Sequence, residues 1–256
     1  MTQRTDSMME KFSITAVSRV GCVRSNNEDM ILVWDEFIRN NSYRTEIYPD
    51  SLDRFVIALA DGMGGHNAGE VASQDVLTNL HFFVSDIPVG LEAGVLNEMM
   101  LEWLSSINKI IESKGIADPS MNEMGTTLVG IIYYNRQFYW LNCGDSRLYR
   151  FRDGHLHQIS TDHSLNSMTG SKKHSNIITN CIGAGCHHSF IDMFEFTDDV
   201  LSGDTFVLCS DGLNDMVPDS QIAELLAKGC GANELCQAAI DAGGFDNVSV
   251  CVIKVG

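Results

Sequence analysis

The sequence lacks the features by which a chain enters or crosses a membrane. No apolar run approaches the ~20 residues of a membrane helix, and the longest clear run covers residues 55–60. The N-terminal stretch MTQRTDSMMEKFSI carries scattered charges instead of the apolar segment of a secretory signal. We therefore expect a cytoplasmic protein without a membrane partner.

Cationic residues are scarce. The 17 lysines and arginines face 34 acidic residues, which gives a formal net charge of −17. Such a charge repels phosphate backbones and anionic lipid, so we expect no nucleic-acid partner. No Lys or Arg occurs between Arg54 and Lys109, or between Lys173 and Lys228. Carboxylates in these windows either form a solvated acidic face or await metal ions, and charge alone leaves both interpretations open.

Disulfide and zinc chemistry are weakly indicated. The eight cysteines include no CxxC pair, and Cys143, Cys209 and Cys251 lie in apolar runs typical of buried strands. We expect them to be reduced core residues. The histidines show no zinc-ligand spacing, and the doublet His187 and His188 is expected on the surface.

The length of 256 residues suits one large core that buries roughly three quarters of the unfolded surface. We expect residues 1–10 to be flexible and residues 11–256 to form one domain. Strand patterns cover 12–20, 30–37 and 54–60, and the polar stretch 40–53 is typical of a loop.

Two amphipathic helices are predicted next, because apolar residues recur at helical spacing. The first set is Ala72, Val76, Leu80 and Phe83; the second is Val95, Met99, Trp103, Ile107 and Ile110. Strands grouped with strands and helices grouped in pairs indicate an α+β layered fold and not an alternating one.

The second half of the chain returns to strands. TLVGIIYY, FYWLNC, RLYRF and HLHQI predict an antiparallel meander, with Asp153 and Gly154 in a type I′ turn. A mobile loop is expected over 160–176. The remaining predicted elements are strands near Ile177, Ser189 and Thr205, helices over QIAELLAK and ELCQAAIDA, and a last strand over 247–255.

Several carboxylates fall at predicted strand ends beside glycine or asparagine. They are Asp61 before Gly62, Asp211 before Gly212, and Asp246 before Asn247. Oxygen ligands of this kind suit Mg²⁺ or Mn²⁺, although a lone Asp-Gly is usually a turn.

Near the N-terminus, RSNNED places Arg24 four residues before Glu28, which is followed by Asp29. This arrangement fits either a phosphate grip beside metal ions or a surface salt bridge, and taken alone the salt bridge is favoured.

Six motifs stand in order: RSNNED, LADGMGGHNAGEVAS, GTTLVG, NCGDSRLYR, SDGLND and DNVSV. Over about residues 12–255 the chain resembles the metal-dependent protein phosphatases of the PPM, or type 2C, family, in the form of its bacterial branch. The resemblance implies a four-layer α-β-β-α sandwich with two central, mainly antiparallel sheets flanked by helix pairs. It also implies a serine/threonine phosphatase that acts on phosphorylated proteins and opposes a cognate Ser/Thr kinase.

The resemblance implies a role for each acidic motif. Asp61 would bridge two Mn²⁺ or Mg²⁺ ions, with the Gly62 carbonyl on one ion and Asp211 and Asp246 on the other. Glu28 would act through metal-bound water. A hydroxide bridging the two metals would attack phosphorus directly, which makes the three aspartates the catalytic set.

Further positions take supporting roles in the same resemblance. Arg24 would bind the substrate phosphate, and Asp145 would hold a weaker third metal together with Asp211, against a turn aspartate as the alternative. Asp29 and Asp215 would fix ligands through hydrogen bonds.

Two departures from the family pattern stand out. Met63 occupies the position where some members carry a general-acid histidine. His66, three residues later, is the candidate replacement, but a structural or helix-entry role is favoured for it. The loop after His163 is shorter than the flap of bacterial relatives, which puts substrate preference in doubt.

Competing functions fit the sequence less well. Glu70 stands where a phosphate-loop lysine is required, and no cysteine fits the HCx₅R pattern of thiolate phosphatases. A two-metal nuclease is opposed by the net charge. A catalytically weak regulator that binds a phosphoprotein or kinase would predict lost metal ligands, whereas all the expected carboxylates are present.

Overall fold

The fold is seen in a computed structural model that describes residues 11–64, 68–169 and 177–256. The expectations for residues 1–10, for His66 and for the end of the 160–176 loop lie outside the described residues. Within these ranges, none of the helices has the length and apolar character needed to cross a membrane.

The described part of the chain folds into fifteen strands and six α-helices. The strands are β1 (Phe12–Arg19), β2 (Met30–Val33), β3 (Glu36–Ile38), β4 (Ser42–Ile47), β5 (Arg54–Ala60), β6 (Gly62–Met63), β7 (Gly125–Thr126), β8 (Leu128–Tyr134), β9 (Gln137–Cys143), β10 (Arg147–Arg152), β11 (His155–Gln158), β12 (Ile182–Gly183), β13 (Asp192–Glu195), β14 (Thr205–Cys209) and β15 (Val248–Val255). The helices are α1 (Gly69–Asp86), α2 (Ala93–Ala117), α3 (Leu165–Thr169), α4 (Asp211–Asn214), α5 (Asp219–Ala227) and α6 (Ala232–Asp241).

Two six-stranded sheets form the centre. The first has the order β11-β10-β14-β15-β1-β4, and the second has the order β13-β9-β8-β5-β2-β3. Neighbouring strands in both sheets are antiparallel. A small third sheet, β12-β7-β6, lies at the end of β5.

Three separate hydrophobic cores show the layering. Phe12, Ile14 and Ala16 alternate along β1 with Ser13 and Thr15, and this apolar side packs between the two large sheets. Residues of α1 and α2 pack on the outer side of the second sheet, and those of α5 and α6 pack on the outer side of the first. The predicted four-layer α-β-β-α sandwich is therefore confirmed.

The two long helices form where the apolar spacing predicts them. Ala72, Val76 and Leu80 are buried along α1. The predicted face of α2 is partly wrong, because Val95 and Ile110 are 41% and 39% exposed. The buried residues of α2 are Leu96, Met100, Trp103, Leu104, Ile107 and Ile111. Apolar residues adjoin both faces of this helix, so spacing alone did not choose between the two registers.

The predicted loop over 40–53 is wrong in part, because it contains β4. This strand pairs only with β1 within the described first sheet, and its sequence SYRTEI alternates exposed and less exposed residues. An edge strand with one covered side needs few apolar residues, which hides it from a hydrophobicity pattern. The 30–37 run is also split, since the chain turns at Trp34 with φ 58° into the β2-β3 hairpin.

The predicted meander is in fact two hairpins in different sheets. β8 pairs with β9 in the second sheet, whereas β10 pairs with β11 in the first. The chain crosses at Gly144, where φ is 124° and a Cβ atom would lie 2.6 Å from the Thr127 Cβ. The type I′ turn is confirmed by positive φ values at Asp153 (50°) and Gly154 (80°).

Between β11 and β14 the predicted boundaries shift. Helix α3 lies within the predicted 160–176 loop, Ile177 only adjoins an isolated bridge from Ser164 to Ile178, and β12 and β13 lie a few residues after the predicted strands. The helices α5 and α6 and the strand β15 match the predictions closely.

Candidate active site

The carboxylates predicted to act together lie at the ends of strands from both large sheets. Asp61 follows β5 in the second sheet, Asp211 follows β14 in the first, and Asp246 precedes β15. Desolvation raises the pKa of Asp61 well above its usual range, and the charges of Asp29, Asp211, Asp145 and Asp246 raise it further. The fold therefore brings the beginning, middle and end of the chain into one acidic site.

Asp211 is the second buried carboxylate whose pKa is strongly raised. Burial raises the pKa of Asp211 to about 8, with further contributions from Asp145, Asp246 and Asp215. Asp211 also begins α4, where the following Gly212 packs against the main chain of Asn247. A Cβ atom on Gly212 would lie 1.9 Å from the Asn247 carbonyl oxygen. Glycine is thus required for Asp211 and Asp246 to approach each other.

Asp29 is fully buried behind these groups. The Ser210 hydroxyl donates to its Oδ2 at 2.8 Å, and the charge of Asp29 helps to raise the pKa of Asp61. Burial raises the pKa of Asp29 to about 6. Its other oxygen, Oδ1, has no hydrogen-bond partner among the described residues. An acceptor-rich group of this kind suits a supporting position beside a cation.

Glu28 faces a cradle made by two glycines. The amide of Gly69 donates to Glu28 Oε1 at 3.3 Å, and the amide of Glu28 donates to Asn247 Oδ1 at 2.8 Å. A Cβ atom on Gly62 would lie 2.2 Å from the Gly69 carbonyl oxygen, and one on Gly69 would lie 2.8 Å from the Glu28 Cδ. The start of α1 therefore sits against the Gly62 main chain and the Glu28 carboxylate. Desolvation raises the pKa of Glu28.

The small third sheet fixes the main chain around Asp61. The Thr127 amide donates to the Asp61 carbonyl at 2.9 Å, and the Thr126 hydroxyl donates to the same oxygen at 2.8 Å. In return, the Asp61 amide donates to the Thr127 hydroxyl at 3.1 Å. Gly62 pairs with Thr126 between β6 and β7. These bonds explain why the GTT motif accompanies the Asp-Gly motif.

Arg24 reaches the site from the loop after β1, but its partner is not the one that the RSNNED spacing suggests. Its Nη2 lies 2.7 Å from Asp246 Oδ2, and both side chains are partly exposed. The hydrogen bond to Asp246 raises the pKa of Arg24. Arg24 is thus an exposed cation at the rim of the acidic site.

Asp145 and Asp215 line a polar cavity of about 460 Å³ together with Asp211. Burial raises the pKa of Asp145 to about 6, followed by the charge of Asp162. Asp162 is itself held by Arg147, whose Nε and Nη2 donate to its carboxylate at 3.0 and 2.7 Å. The cavity is therefore acidic on the side that it shares with the main site.

Arg39 is a site residue that the sequence analysis missed. Its Nε donates to the Asp29 carbonyl at 2.9 Å, and its Nη2 donates to the Glu70 carbonyl at 2.9 Å and to the Ser73 hydroxyl at 2.7 Å. Ser73 in turn donates to the Glu28 carbonyl at 2.5 Å. This one guanidinium joins the 28–29 segment to α1. Nothing in the local sequence marks it, because every acceptor except the Ser73 hydroxyl is main chain.

The described side chains of the site are not arranged as a ready-made metal-coordination shell. Across residues 11–64, 68–169 and 177–256, no three Asp, Glu, His or Cys side chains converge closely enough to hold a metal ion. The carboxylates share one electrostatic environment without meeting at a common point.

The protein is an α-β-β-α sandwich with an acidic site. The carboxylates of that site lie at strand ends of both large sheets. The chain belongs to the protein phosphatase 2C family, because the sequence model of that family matches residues 48–240.

Its relatives include bacterial serine/threonine phosphatases. It is 33% identical over 245 residues to the serine/threonine protein phosphatase PstP of Mycobacterium tuberculosis, an alignment that covers 92% of this chain and 43% of PstP. It is 30% identical over 257 residues to the protein phosphatase PhpP of Streptococcus pneumoniae, covering 94% of this chain and 97% of PhpP. The chain thus spans less than half the length of the longer relative.

A solved structure agrees with these sequence relationships. The catalytic domain of PstP in complex with two manganese ions superposes with a TM-score of 0.71 at 32% identity, covering 95% of this chain and 99% of that one. The fold likeness thus extends over nearly the whole of both chains.

Proposed function

We propose that this chain is a divalent-metal-dependent phosphatase that hydrolyses phosphoserine and phosphothreonine in proteins. The observation that carries the proposal is that Asp61, Asp211 and Asp246, from three distant parts of the sequence, lie in one electrostatic environment. Burial raises the pKa of Asp61 and of Asp211, and the charge of Asp246 raises both further. Asp61 and Asp211 are buried carboxylates that raise each other's cost of ionisation, while Arg24 pairs with Asp246 at the rim, and a bound cation would stabilise the ionised forms of the two buried groups. The names of the relatives support the reaction class.

The donor set fits two Mn²⁺ or Mg²⁺ ions. All donors are oxygens, Asp29 Oδ1 is buried without a partner, and the tight Gly62–Gly69 contact leaves the Gly62 carbonyl close to Glu28. Asp61 would be a ligand to both ions, the Gly62 carbonyl would hold one of them, Asp211 and Asp246 would hold the other, and Glu28 would act through water. Divalent ions there would supply a water of lowered pKa and neutralise charge on the phosphoryl group.

The remaining side chains would hold the substrate phosphate and the metal-binding carboxylates in place. Arg24 lies at the rim, where its guanidinium can exchange Asp246 for a substrate phosphate oxygen. Asp29 holds Ser210 and supports Asp61 from behind, and Asp215 serves as a further outer carboxylate. Asp145 with Asp211 is the proposed site of a weaker third ion. No general acid is assigned, since Met63 follows the Asp61-Gly62 pair.

The proposal extends to the partners. Residues 11–256 act as one phosphatase domain in the cytoplasm, the substrates are phosphorylated proteins, and a cognate Ser/Thr kinase supplies them. Neither nucleic acid nor a membrane is a partner.

The test is hydrolysis of a phosphothreonine peptide. We expect EDTA to abolish phosphate release and Mn²⁺ to restore it, with the Asp211→Asn variant slower by several orders of magnitude. Asp86→Asn, which alters an exposed aspartate at the end of α1, is the matched control and should keep the parent rate. Hydrolysis that persists in EDTA, or a normal rate in Asp211→Asn, would refute the assignment.

A further inference from the structure

A polar groove lies on the opposite face of the first sheet from the inter-sheet core, away from the acidic site. It has a volume of about 610 Å³ and runs between the edge strand β4 and the segment that leads into α6. Its floor includes Ser13 and Thr15, whose neighbours along β1 point into the core between the sheets. We call this the β4 groove.

The groove exists because the outer helices stop short of the sheet edge. Helix α6 packs on β15 and β1, while β4 lies beyond β1 and pairs with no other strand of the described first sheet. Among the described elements, the residues on this side of β4 therefore have no helix packed above them, whereas Thr15 on β1 lies beside the start of α6. An uncovered edge of this kind offers free main-chain donors and acceptors.

Three cations line the β4 groove: Arg44, Lys228 and Lys254. Arg44 and Lys228 are exposed, and within the described chain no carboxylate forms an ion pair with either. The Lys254 ammonium donates to the Gly229 carbonyl at 2.7 Å, a neutral acceptor. Positive charge thus collects here in a protein whose net charge is −17.

Among the residues that line the β4 groove, Glu234 is the acidic one, and its carboxylate already has a hydrogen-bond donor. The Glu234 carboxylate accepts from the Gly231 amide at 2.8 Å, and this bond, with a smaller contribution from Lys254, lowers the pKa of Glu234. Glu46 on β4 pairs with Lys11 at 2.7 Å. The first amides of α6 are also satisfied, since Ala232 donates to the Thr15 hydroxyl at 3.1 Å. The anion-attracting groups are therefore side chains and not the helix end.

We propose that the β4 groove binds an acidic, extended peptide segment of a partner protein. A strand the length of β4, six residues, spans about 20 Å, which suits a short segment and exceeds a single small anion. Long polyanions are disfavoured because the rest of the surface repels them. The carboxylates of the segment would pair with Arg44 and Lys228, and its main chain could pair with the free edge of β4. This proposal does not depend on the phosphatase activity.

The test is fluorescence anisotropy with a labelled octapeptide rich in Glu and Asp, measured on the full chain in EDTA so that catalysis plays no part. We expect saturable binding at low salt that weakens as salt is raised. The double variant Arg44→Glu, Lys228→Glu should bind at least tenfold more weakly. The matched control is Lys109→Glu, Arg136→Glu, which reverses two exposed charges that do not line the groove, one on α2 and one in the β8-β9 turn.

The outcomes separate the alternatives. Equal loss in the control variant would mean that only net charge matters, and would overturn the assignment of the groove. Complete displacement of the peptide by inorganic phosphate at matched ionic strength would indicate a small-anion site instead of a peptide site. Circular dichroism and thermal unfolding verify that each variant is folded, and the single variant Lys228→Gln repeats the test if the double variant is not.

Discussion

Arg24 and Asp246 form an ion pair across the mouth of the acidic site, with 2.7 Å between Arg24 Nη2 and Asp246 Oδ2. The two residues are separated by 222 positions in the sequence. Asp246 is proposed as a metal ligand and Arg24 as the phosphate contact, so each has a second partner in the working site. An exposed pair of this kind is worth little by itself and can exchange partners at low cost.

From this pair we expect Arg24→Ala to weaken substrate binding more than the chemical step. One charge-assisted contact to phosphate contributes about 1.5–3 kcal/mol, which corresponds to a rise in KM of about 10- to 100-fold. Arg24→Lys keeps the charge without the planar fork, so its KM should lie between those of the parent protein and Arg24→Ala. Steady-state kinetics on a phosphothreonine peptide measure both effects. An unchanged KM in Arg24→Ala would leave this arginine as a surface salt bridge.

The glycine after Asp211 should tolerate no side chain. Gly212→Ala would place its Cβ 1.9 Å from the Asn247 carbonyl oxygen, and overpacking of this kind costs about 1–3 kcal/mol. We expect a lower Tm and reduced activity, because Asp211 and Asp246 must move apart. The control is Gly94→Ala in α2, where a Cβ meets nothing within 4 Å and alanine favours the helix by about 1 kcal/mol. Thermal unfolding that ranks Gly212→Ala as the more stable variant would contradict the close packing of Gly212 on the Asn247 main chain.

The metal-free protein should lose stability as pH rises. Burial raises the pKa of Asp211 to about 8 and that of Asp29 to about 6, both from 3.8. The folded state then binds more protons than the unfolded state, so the free energy of unfolding falls between about pH 4 and pH 8. Denaturant titrations in EDTA at several pH values measure the slope. Asp211→Asn should make it shallower, whereas Asp86→Asn, at an exposed position, should leave it unchanged.

Much of the layering was predictable because buried faces of helices and strands produce a periodic pattern of apolar residues in the sequence. The outer helices α1, α5 and α6 and the central strands β5, β8 and β15 are apolar enough to be recognised from the sequence alone. β4 was missed because an edge strand with one covered side can be polar. The crossing at Gly144, which divides the predicted meander between two sheets, depends on a contact with Thr127 that no local pattern records.

The candidate site divides in the same way. Asp61, Asp211 and Asp246 were identifiable because each stands at the end of an apolar strand, and the structure brings them together. The Arg24–Asp246 pairing was not predicted, since the RSNNED spacing pointed to Glu28 instead. Arg39 could not be recognised from the sequence, because it binds two main-chain carbonyls and any residue type can supply a main-chain carbonyl.

Arg39 provides the last test, because its guanidinium binds both the Asp29 carbonyl and two acceptors of α1 and so joins the segment carrying Glu28 and Asp29 to that helix. Arg39→Met removes the donors of the Asp29 and Glu70 carbonyls and of the Ser73 hydroxyl. Each lost hydrogen bond contributes about 0.5–1.5 kcal/mol net, so we expect the loss of three to lower the free energy of unfolding by about 2–4 kcal/mol. The control is Arg136→Met, which removes an exposed pair with Asp50 and should change stability by less than about 1 kcal/mol.

A purely structural role for Arg39 would end with that loss of stability. If Arg39 also positions Glu28 and Asp29, the folded Arg39→Met protein needs more Mn²⁺ to reach half-maximal activity, because the carboxylates no longer start from the right place. Arg39→Lys cannot reach three acceptors with one ammonium group and should show the same shift in a milder form. A Mn²⁺ titration of activity, run well below the Tm of each variant, separates the two roles. An unchanged half-saturation point in both variants would confine Arg39 to holding the fold.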